Sequence, residues 1–330
     1  MNRTWLDRRT EPVLEPELEI VDAHHHLWTT ETRYGVYDLD DLHVDTGAGH
    51  NVVATVFIDC GASYRIDGPE AKRPVGETEY VAERADRADE AGRTPIAAIV
   101  SHVDLTLGTA AGEVLDAHIA AAGGRFRGIR HSGARGEDPA VPTSRTEPPA
   151  DLFGQASFRA GAGELAARGL SFEAWQYHHQ LDMVVELARA VPELTIVVNH
   201  LGGPIGVGGW ASRRTEVEDA LRAGWAAFRP LPNVVLKLGG IGMTRFGMTW
   251  HERPDPPSSA EVVERWGALI REAIDTLGPE RCLFESNFPV DGETTGYGVL
   301  WNAFKTMTTG YTPEERALLF TGTARRVYRI

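Results

Sequence analysis

Short runs of apolar, often β-branched residues recur along the chain, and stretches with helical spacing lie between most of them. This alternation predicts strands and helices that follow one another through the whole sequence. The eight predicted strands span residues 20–26, 52–59, 95–103, 126–131, 171–178, 195–200, 234–238 and 282–287. The predicted helices span residues 78–91, 110–122, 152–168, 181–191, 212–228, 260–277 and 313–328.

Eight predicted strands that alternate with helices in 330 residues favour an α/β protein with one (β/α)8 barrel of the TIM type. A doubly wound sheet is the alternative, but that fold usually carries a glycine-rich phosphate loop after its first strand, and here the first strand ends in histidines. We therefore predict a single domain over residues 1–330, with an N-terminal extension at 1–18. The predicted loop insertions over the active face are 61–77, 133–150 and 243–259.

Composition narrows the range of partners. The chain is 42% hydrophobic and 24% charged, as is typical of folded globular proteins, and its net charge of −14 opposes binding to nucleic acid or anionic membranes. Only two cysteines, Cys60 and Cys282, are present, and no apolar stretch reaches the length of a membrane span. We expect a cytoplasmic protein that acts on a small molecule, and homo-oligomer formation stays open.

Histidines mark the predicted active face. Eight of the twelve histidines fall at or just beyond the ends of predicted strands, and catalytic groups of a barrel converge at the carboxyl ends of its strands. On the first strand, alternation points His24 and His26 to one side, where two imidazoles can hold one metal ion or one oxyanion. The alternative for any single histidine is a buried, hydrogen-bonded structural role. The eight are His24, His25, His26, His102, His131, His178, His179 and His200.

Four motifs carry a family resemblance. The segment DAHHHLW at 22–28 resembles the first strand of the amidohydrolase superfamily, in the amidohydrolase-related branch that contains lactone hydrolases and metal-dependent decarboxylases. The fifth, sixth and eighth strands of that branch are similar to EAWQYHHQL at 173–181, VVNHLGGP at 197–204 and FESNFPVD at 284–291. The resemblance implies a reaction centre surrounded by His24, His26 and His200, with His178 beside them and with Arg130 and His131 near the substrate.

The eighth strand departs from the branch pattern. Asn287 stands where the branch carries an aspartate that binds metal and activates water, and an amide neither accepts a proton at neutral pH nor matches a carboxylate as a ligand. Glu285 and Asp291 are the candidates to replace that carboxylate, and an ion pair between Glu285 and Lys237 is the structural alternative. We expect that no cofactor is required, or that one divalent ion, zinc or manganese, binds weakly. Its predicted ligands are His24, His26 and His200.

Cations near strand ends indicate how a substrate is held. Arg130, His131 and Lys237, together with Arg245, would bind a substrate carboxylate or stabilise an oxyanion. Aromatic residues near strand ends would form a planar wall, although such residues are often simply core. They are Trp28, Tyr64, Trp175 and Tyr177.

The expected function is hydrolysis of a lactone or related cyclic carboxylic ester that bears a carboxylate. Glu285, Asp291 or a histidine such as His178 would activate water, while the central imidazoles polarise the carbonyl. One alternative is a nonoxidative decarboxylase that depends on a divalent metal. The other is a noncatalytic binding protein on the same scaffold.

Overall fold

The computed structural model describes residues 1–142 and 147–330, in which eight parallel strands pair in chain order. The strands are β1 (Glu19–His25), β2 (Asn51–Ile58), β3 (Ile96–Ser101), β4 (Phe126–Ser132), β5 (Ser171–Trp175), β6 (Ile196–Val198), β7 (Val234–Leu238) and β8 (Cys282–Phe284). Parallel neighbours require a crossover between each pair of strands, and the helices supply it. The predicted (β/α)8 barrel and single domain are confirmed.

Helices surround the strands and extend the chain at both ends. Over the described residues they are α1 (Arg3–Leu6), α2 (Leu39–Thr46), α3 (Val75–Glu90), α4 (Ala111–Ala121), α5 (Ala156–Ala167), α6 (Leu181–Ala190), α7 (Arg214–Phe228), α8 (Ser259–Leu277), α9 (Tyr297–Met307), α10 (Pro313–Ala317) and α11 (Thr323–Tyr328). A π-helical turn at Leu318–Gly322 joins the last two.

The barrel closes through the segment that follows β8. The backbone N–H of His26 donates to the carbonyl of Phe288 at 2.8 Å, and the N–H of Asn287 donates to the carbonyl of His24 at 2.9 Å. These bonds join the carboxyl end of β1 to the chain just past β8. The histidines of β1 and the polar residues after β8 are therefore held side by side.

Apolar side chains fill the lower part of the barrel interior. Val56, Val100 and Leu283 belong to an interior cluster that Ala324 and Tyr328 of α11 complete. Burial of such side chains contributes about 1.5–3 kcal/mol each, so α11 acts as a stabilising plug. The polar groups of the interior gather at the opposite end, where the strands finish.

The strands end earlier than predicted where the site begins. Strand β8 ends at Phe284 and β6 at Val198, each short of its predicted limit. His200 and Asn287 adopt positive φ angles of 52° and 55°, which a β-strand excludes. The backbone turns at both residues, and side chains beyond the turn no longer follow strand alternation.

Other predicted boundaries need smaller corrections. Helices α1, α2 and α9 are not among the predicted helices. The predicted helix 313–328 is divided by the π-helical turn. The predicted loop 133–150 includes residues 143–146, which lie outside the described residues. Across the described chain, no helix has both the length and the apolar character to cross a bilayer.

Candidate active site at the barrel mouth

A fully buried carboxylate joins two histidines at the centre of the mouth. Glu285 lies just beyond β8, and its Oε1 accepts a hydrogen bond from Nδ1 of His200 at 2.6 Å. Its Oε2 lies 2.6 Å from Nδ1 of His24 but accepts no hydrogen bond from the described residues. A buried carboxylate that holds an imidazole at Nδ1 fixes the ring and leaves Nε2 unprotonated in the neutral form.

His24 of β1 and His26, just past the end of that strand, contact each other. Nε2 of His24 lies 3.2 Å from Nε2 of His26. Nδ1 of His26 lies 2.7 Å from the carbonyl oxygen of Ile58 and must donate to it, because a carbonyl only accepts. Burial lowers the pKa of His24 and His26 well below the ordinary value, and it also lowers the pKa of His200. All three imidazoles are therefore neutral at pH 7.

A buried lysine lies beneath this cluster. Nζ of Lys237, on β7, is 2.9 Å from Oε2 of Glu173 and 3.8 Å from Oε2 of Glu285. It also lies 3.3 Å from Nδ1 of His24. The predicted ion pair of Lys237 thus has Glu173 as its nearer partner. Lys237 is completely buried below the cavity described next.

A cavity of about 330 Å³ opens beside the imidazole of His26. Its wall combines aromatic rings with three guanidinium groups, a composition suited to a small planar anion. The rings of Trp28 and Tyr34 lie 5.9 Å apart on one side. The lining residues are His26, Trp28, Thr32, Arg33, Tyr34, Asp59, Cys60, Arg130, Ser132, Trp175, Arg245 and Val290.

Arg130 links the cavity wall to the imidazoles. Its Nε lies 3.6 Å from Oδ2 of Asp59, and its Nη1 lies 3.4 Å from Nε2 of His24. The Tyr64 hydroxyl donates to Oδ1 of Asp59 at 3.1 Å, although Tyr64 itself lines a neighbouring cleft of about 810 Å³ together with His131. Arg130 is thus the predicted substrate-binding cation that both lines the cavity and touches the cluster.

Trp175 and Arg245 form the opposite wall. The ring of Trp175 packs edge-on against His200 at a centroid distance of 5.0 Å, and Arg245 lies 5.8 Å from the centroid of Trp175. Nη1 of Arg245 also donates to the hydroxyl of Tyr177 at 3.3 Å. Tyr177 is buried behind this wall and supports Arg245.

Asn287 and Asp291 pair with each other. Nδ2 of Asn287 donates to Oδ1 of Asp291 at 2.8 Å, and the N–H of Gly242 donates to Oδ2 at 2.9 Å. Burial raises the pKa of Asp291 well above its ordinary value. Among the described residues, the carboxylate that contacts the imidazoles is Glu285, at 2.6 Å from His200 and from His24, whereas Asp291 pairs with Asn287.

His178 lies apart from the central imidazoles. Its Nδ1 accepts a hydrogen bond from the N–H of Ile205 at 3.4 Å, and its ring packs edge-on against Trp210 at 4.6 Å. The pKa of His178 is lowered by burial to about 4. The structure therefore brings together His24, His26, His200 and Glu285, with His178 outside that group.

Several lining residues escape prediction from the sequence. Asp59 ends the predicted second strand, so its position at a strand end was an available signal. Arg33 and Tyr34 belong to a loop after β1 whose sequence predicts neither its path nor its contact with the mouth. Cys60 and Ser132 follow or end strands but carry no motif.

The cluster also has the composition of a metal site. His24, His200 and Glu285 offer ligand atoms that all lie within 4.8 Å of one another. Neutral imidazoles and a carboxylate are the ligands that zinc prefers, and Oε2 of Glu285, which accepts no hydrogen bond from the described residues, is a further observation that fits an ion. Among the described residues this trio shares His24 and His200 with the predicted set of ligands and adds Glu285, while the ligand role of His26 stays a prediction.

Comparison with known proteins identifies the class. A family model described as amidohydrolase matches residues 21–330, so the chain belongs to that family. The uncharacterised protein y4mH of Sinorhizobium fredii is 31% identical over 338 residues, which cover 95% of this chain and 99% of that protein. The L-fucono-1,5-lactonase of Burkholderia ambifaria is 26% identical over 94% of this chain and 95% of its own.

Solved structures share the fold. A zinc-bound amidohydrolase from Burkholderia multivorans superimposes with a TM-score of 0.72 at 23% identity, covering 94% of this chain and 99% of its own. The 5-carboxyvanillate decarboxylase of Novosphingobium aromaticivorans, complexed with manganese, gives a TM-score of 0.59 at 10% identity over 96% and 97% of the two chains. The chain is thus an amidohydrolase-family enzyme, and hydrolases and decarboxylases both occur among proteins of its fold.

Proposed function

We propose that this enzyme hydrolyses a lactone or related cyclic ester that bears a carboxylate. The observation that carries the proposal is the His200–Glu285 pair, a neutral imidazole held at Nδ1 by a buried carboxylate at 2.6 Å. Trp175, which packs against His200, lines a small cavity with cationic and aromatic walls. The likeness to a lactonase supports the reaction type.

His200 acts as the general base in this proposal. With Nδ1 donating to Glu285, Nε2 carries the lone pair that takes a proton from water as the water attacks the lactone carbonyl. Glu285 keeps the ring oriented and stabilises the imidazolium that forms. The proton then passes from His200 to the departing ring oxygen, which completes ring opening.

The cations of the cavity divide two tasks. Arg130 approaches His24 and stabilises the negative oxygen that develops on the carbonyl. Arg245, on the far wall over Trp175, binds the substrate carboxylate. A volume of about 330 Å³ limits the substrate to one ring with short substituents.

A divalent ion is an optional component. His24, His200 and Glu285 would hold it, and a bound ion would polarise the carbonyl as a Lewis acid. Cys60 and Cys282, which form no disulfide, suit the cytoplasmic location expected from the sequence.

The test is a screen of lactones against purified protein, scored by acid release in a pH-indicator assay. The panel contains sugar lactones and carboxylated unsaturated lactones, each with an uncharged analogue. We expect turnover of a carboxylated lactone that the His200→Ala variant loses. Carbon dioxide release from an aromatic carboxylate, dependent on added manganese and without any lactone turnover, would establish the decarboxylase alternative instead.

A further inference from the structure

A fixed cation lies against the residues that would hold a metal ion. Nζ of Lys237 is 3.3 Å from Nδ1 of His24 and 3.8 Å from Oε2 of Glu285, and both residues belong to the candidate metal trio. The lysine is completely buried, as are His24 and Glu285, so solvent does not screen its charge.

The nearer counter-ion of Lys237, Glu173, is not a member of the candidate metal trio. Glu173 pairs with the ammonium at 2.9 Å, but it also accepts hydrogen bonds from Asn199 at 2.5 Å and from the Tyr328 hydroxyl. Its negative charge is shared among three donors, whereas the ammonium directly touches His24. Arg130 faces the other ring nitrogen of His24 at 3.4 Å, so each nitrogen of that ring has a cation beside it, and Nδ1 also has Oε2 of Glu285 at 2.6 Å.

Repulsion between like charges grows as distance and dielectric constant fall, and both are small here. We propose that Lys237 is a positioning charge that keeps the affinity of His24, His200 and Glu285 for divalent metals low. It thereby leaves Glu285 available to hold His200 as a base. The inference deepens the proposed function, since it explains how residues of a metal-binding type serve a reaction that needs no tightly bound ion.

The experiment is a zinc titration of the purified protein with a competing chromophoric chelator, with zinc content checked by mass spectrometry. The variant is the double substitution Lys237→Met with Glu173→Gln, because removal of the lysine alone leaves a buried, unpaired carboxylate. We expect the double variant to bind one zinc ion at least about tenfold more tightly than the wild type. The same titration without His24, in a triple variant with His24→Ala, should abolish that gain.

Two controls distinguish the effect of the Lys237 charge on zinc affinity from a general disturbance of the structure. Lys305→Met removes another fully buried lysine, one held by the carbonyls of Leu14 and Glu15, and should leave zinc affinity unchanged. Glu173→Gln alone leaves the ammonium in place and should not tighten zinc binding. Circular dichroism establishes that each variant is folded.

A double variant that is folded and binds zinc within twofold of the wild type would overturn the inference. Nanomolar zinc affinity in the wild type would also overturn it. Neither measurement uses a substrate, so failure of the proposed lactone hydrolysis has no bearing on the result.

Discussion

The barrel holds cations in two contrasting settings. Lys237 lies on the barrel floor, fully buried and 2.9 Å from Glu173, while Arg130 lies at the mouth with 12% of its side chain exposed and its head group in the cavity wall. Both come from strands, and both fit a substrate carboxylate by charge alone. The two cations differ in their depth in the barrel. A ligand in the cavity can reach Arg130, whereas Lys237 can act only on the buried cluster of histidines and Glu285.

The two settings also differ in how their charges are balanced. On the floor, Glu173 has three donors, and the ring of Tyr328 lies 5.7 Å from the lysine nitrogen. At the mouth, Arg245 rests over Trp175 and donates to the hydroxyl of Tyr177. In the part of the chain that the structure describes, no carboxylate pairs with Arg245. Arg245 therefore keeps its positive charge at the mouth, where the proposed substrate carboxylate would bind.

Removing the carboxylate between the two settings should have the largest effect. Glu285→Gln keeps the size of the side chain but deprives His200 of its anionic partner, so kcat should fall by roughly 10²–10⁴ with little change in KM. Steady-state kinetics measures both constants. Asp291→Asn is the matched control, and a greater loss of kcat in that variant would shift the catalytic carboxylate to Asp291.

Removal of Lys237 from the barrel floor should lower the free energy of unfolding more than any substitution at the mouth. Lys237→Met leaves Glu173 buried without its cation, which should reduce the free energy of unfolding by about 3–5 kcal/mol. Urea denaturation gives the value, and the added substitution Glu173→Gln should recover much of it. Arg245→Met should cost less than about 1 kcal/mol. Equal losses from Lys237→Met and Arg245→Met would contradict the distinction between floor and mouth.

Substitution of Arg245 at the mouth should weaken the use of carboxylated substrates and spare uncharged ones. Arg245→Met removes the cation assigned to the substrate carboxylate, so kcat/KM for a carboxylated lactone should fall by about 10- to 100-fold. The uncharged analogue should lose little. The measurement compares kcat/KM for the two substrates in one assay. An equal loss of kcat/KM for both would show that Arg245 supports the structure of the cavity and does not recognise the substrate carboxylate.

The sequence was sufficient for the order of the barrel and for the type of chemistry at its mouth. Histidines at strand ends predicted the meeting of His24, His26 and His200, because the carboxyl ends of parallel strands share one face. The departure at Asn287 directed attention to Glu285, and the structure places that carboxylate between two imidazoles.

Side-chain direction past the strand ends was beyond prediction. Strand alternation would place Glu285 and Asn287 on the same side, but β8 ends at Phe284 and the backbone turns at Asn287 with φ of 55°. Asn287 then reaches Asp291 rather than the imidazoles. Burial depth was equally hidden, because it depends on tertiary neighbours such as Tyr328, far away in the sequence from Lys237 and Glu173.

The smallest expected effect concerns a histidine remote from the mouth. His118 on α4 is buried beside Thr78, whose Oγ1 lies 2.7 Å from Nδ1, and burial lowers the pKa of His118 to about 4. The folded state therefore holds this imidazole neutral, whereas the unfolded chain takes up a proton below its ordinary pKa near 6.5. The stability that His118 contributes is full above that pKa and is lost as the pH falls toward about 4.

Between pH 7 and pH 6, this single group should lower the free energy of unfolding by about 0.7 kcal/mol. His118→Asn removes the titration, so its loss of stability over the same interval should be smaller than that of the wild type by this amount. Urea denaturation at both pH values measures the difference, and substitution of the exposed His251 by Asn is the control. If the wild type and His118→Asn lose equal stability, His118 accepts its proton in the folded protein, and the interior beside Thr78 is more open to water than its burial indicates.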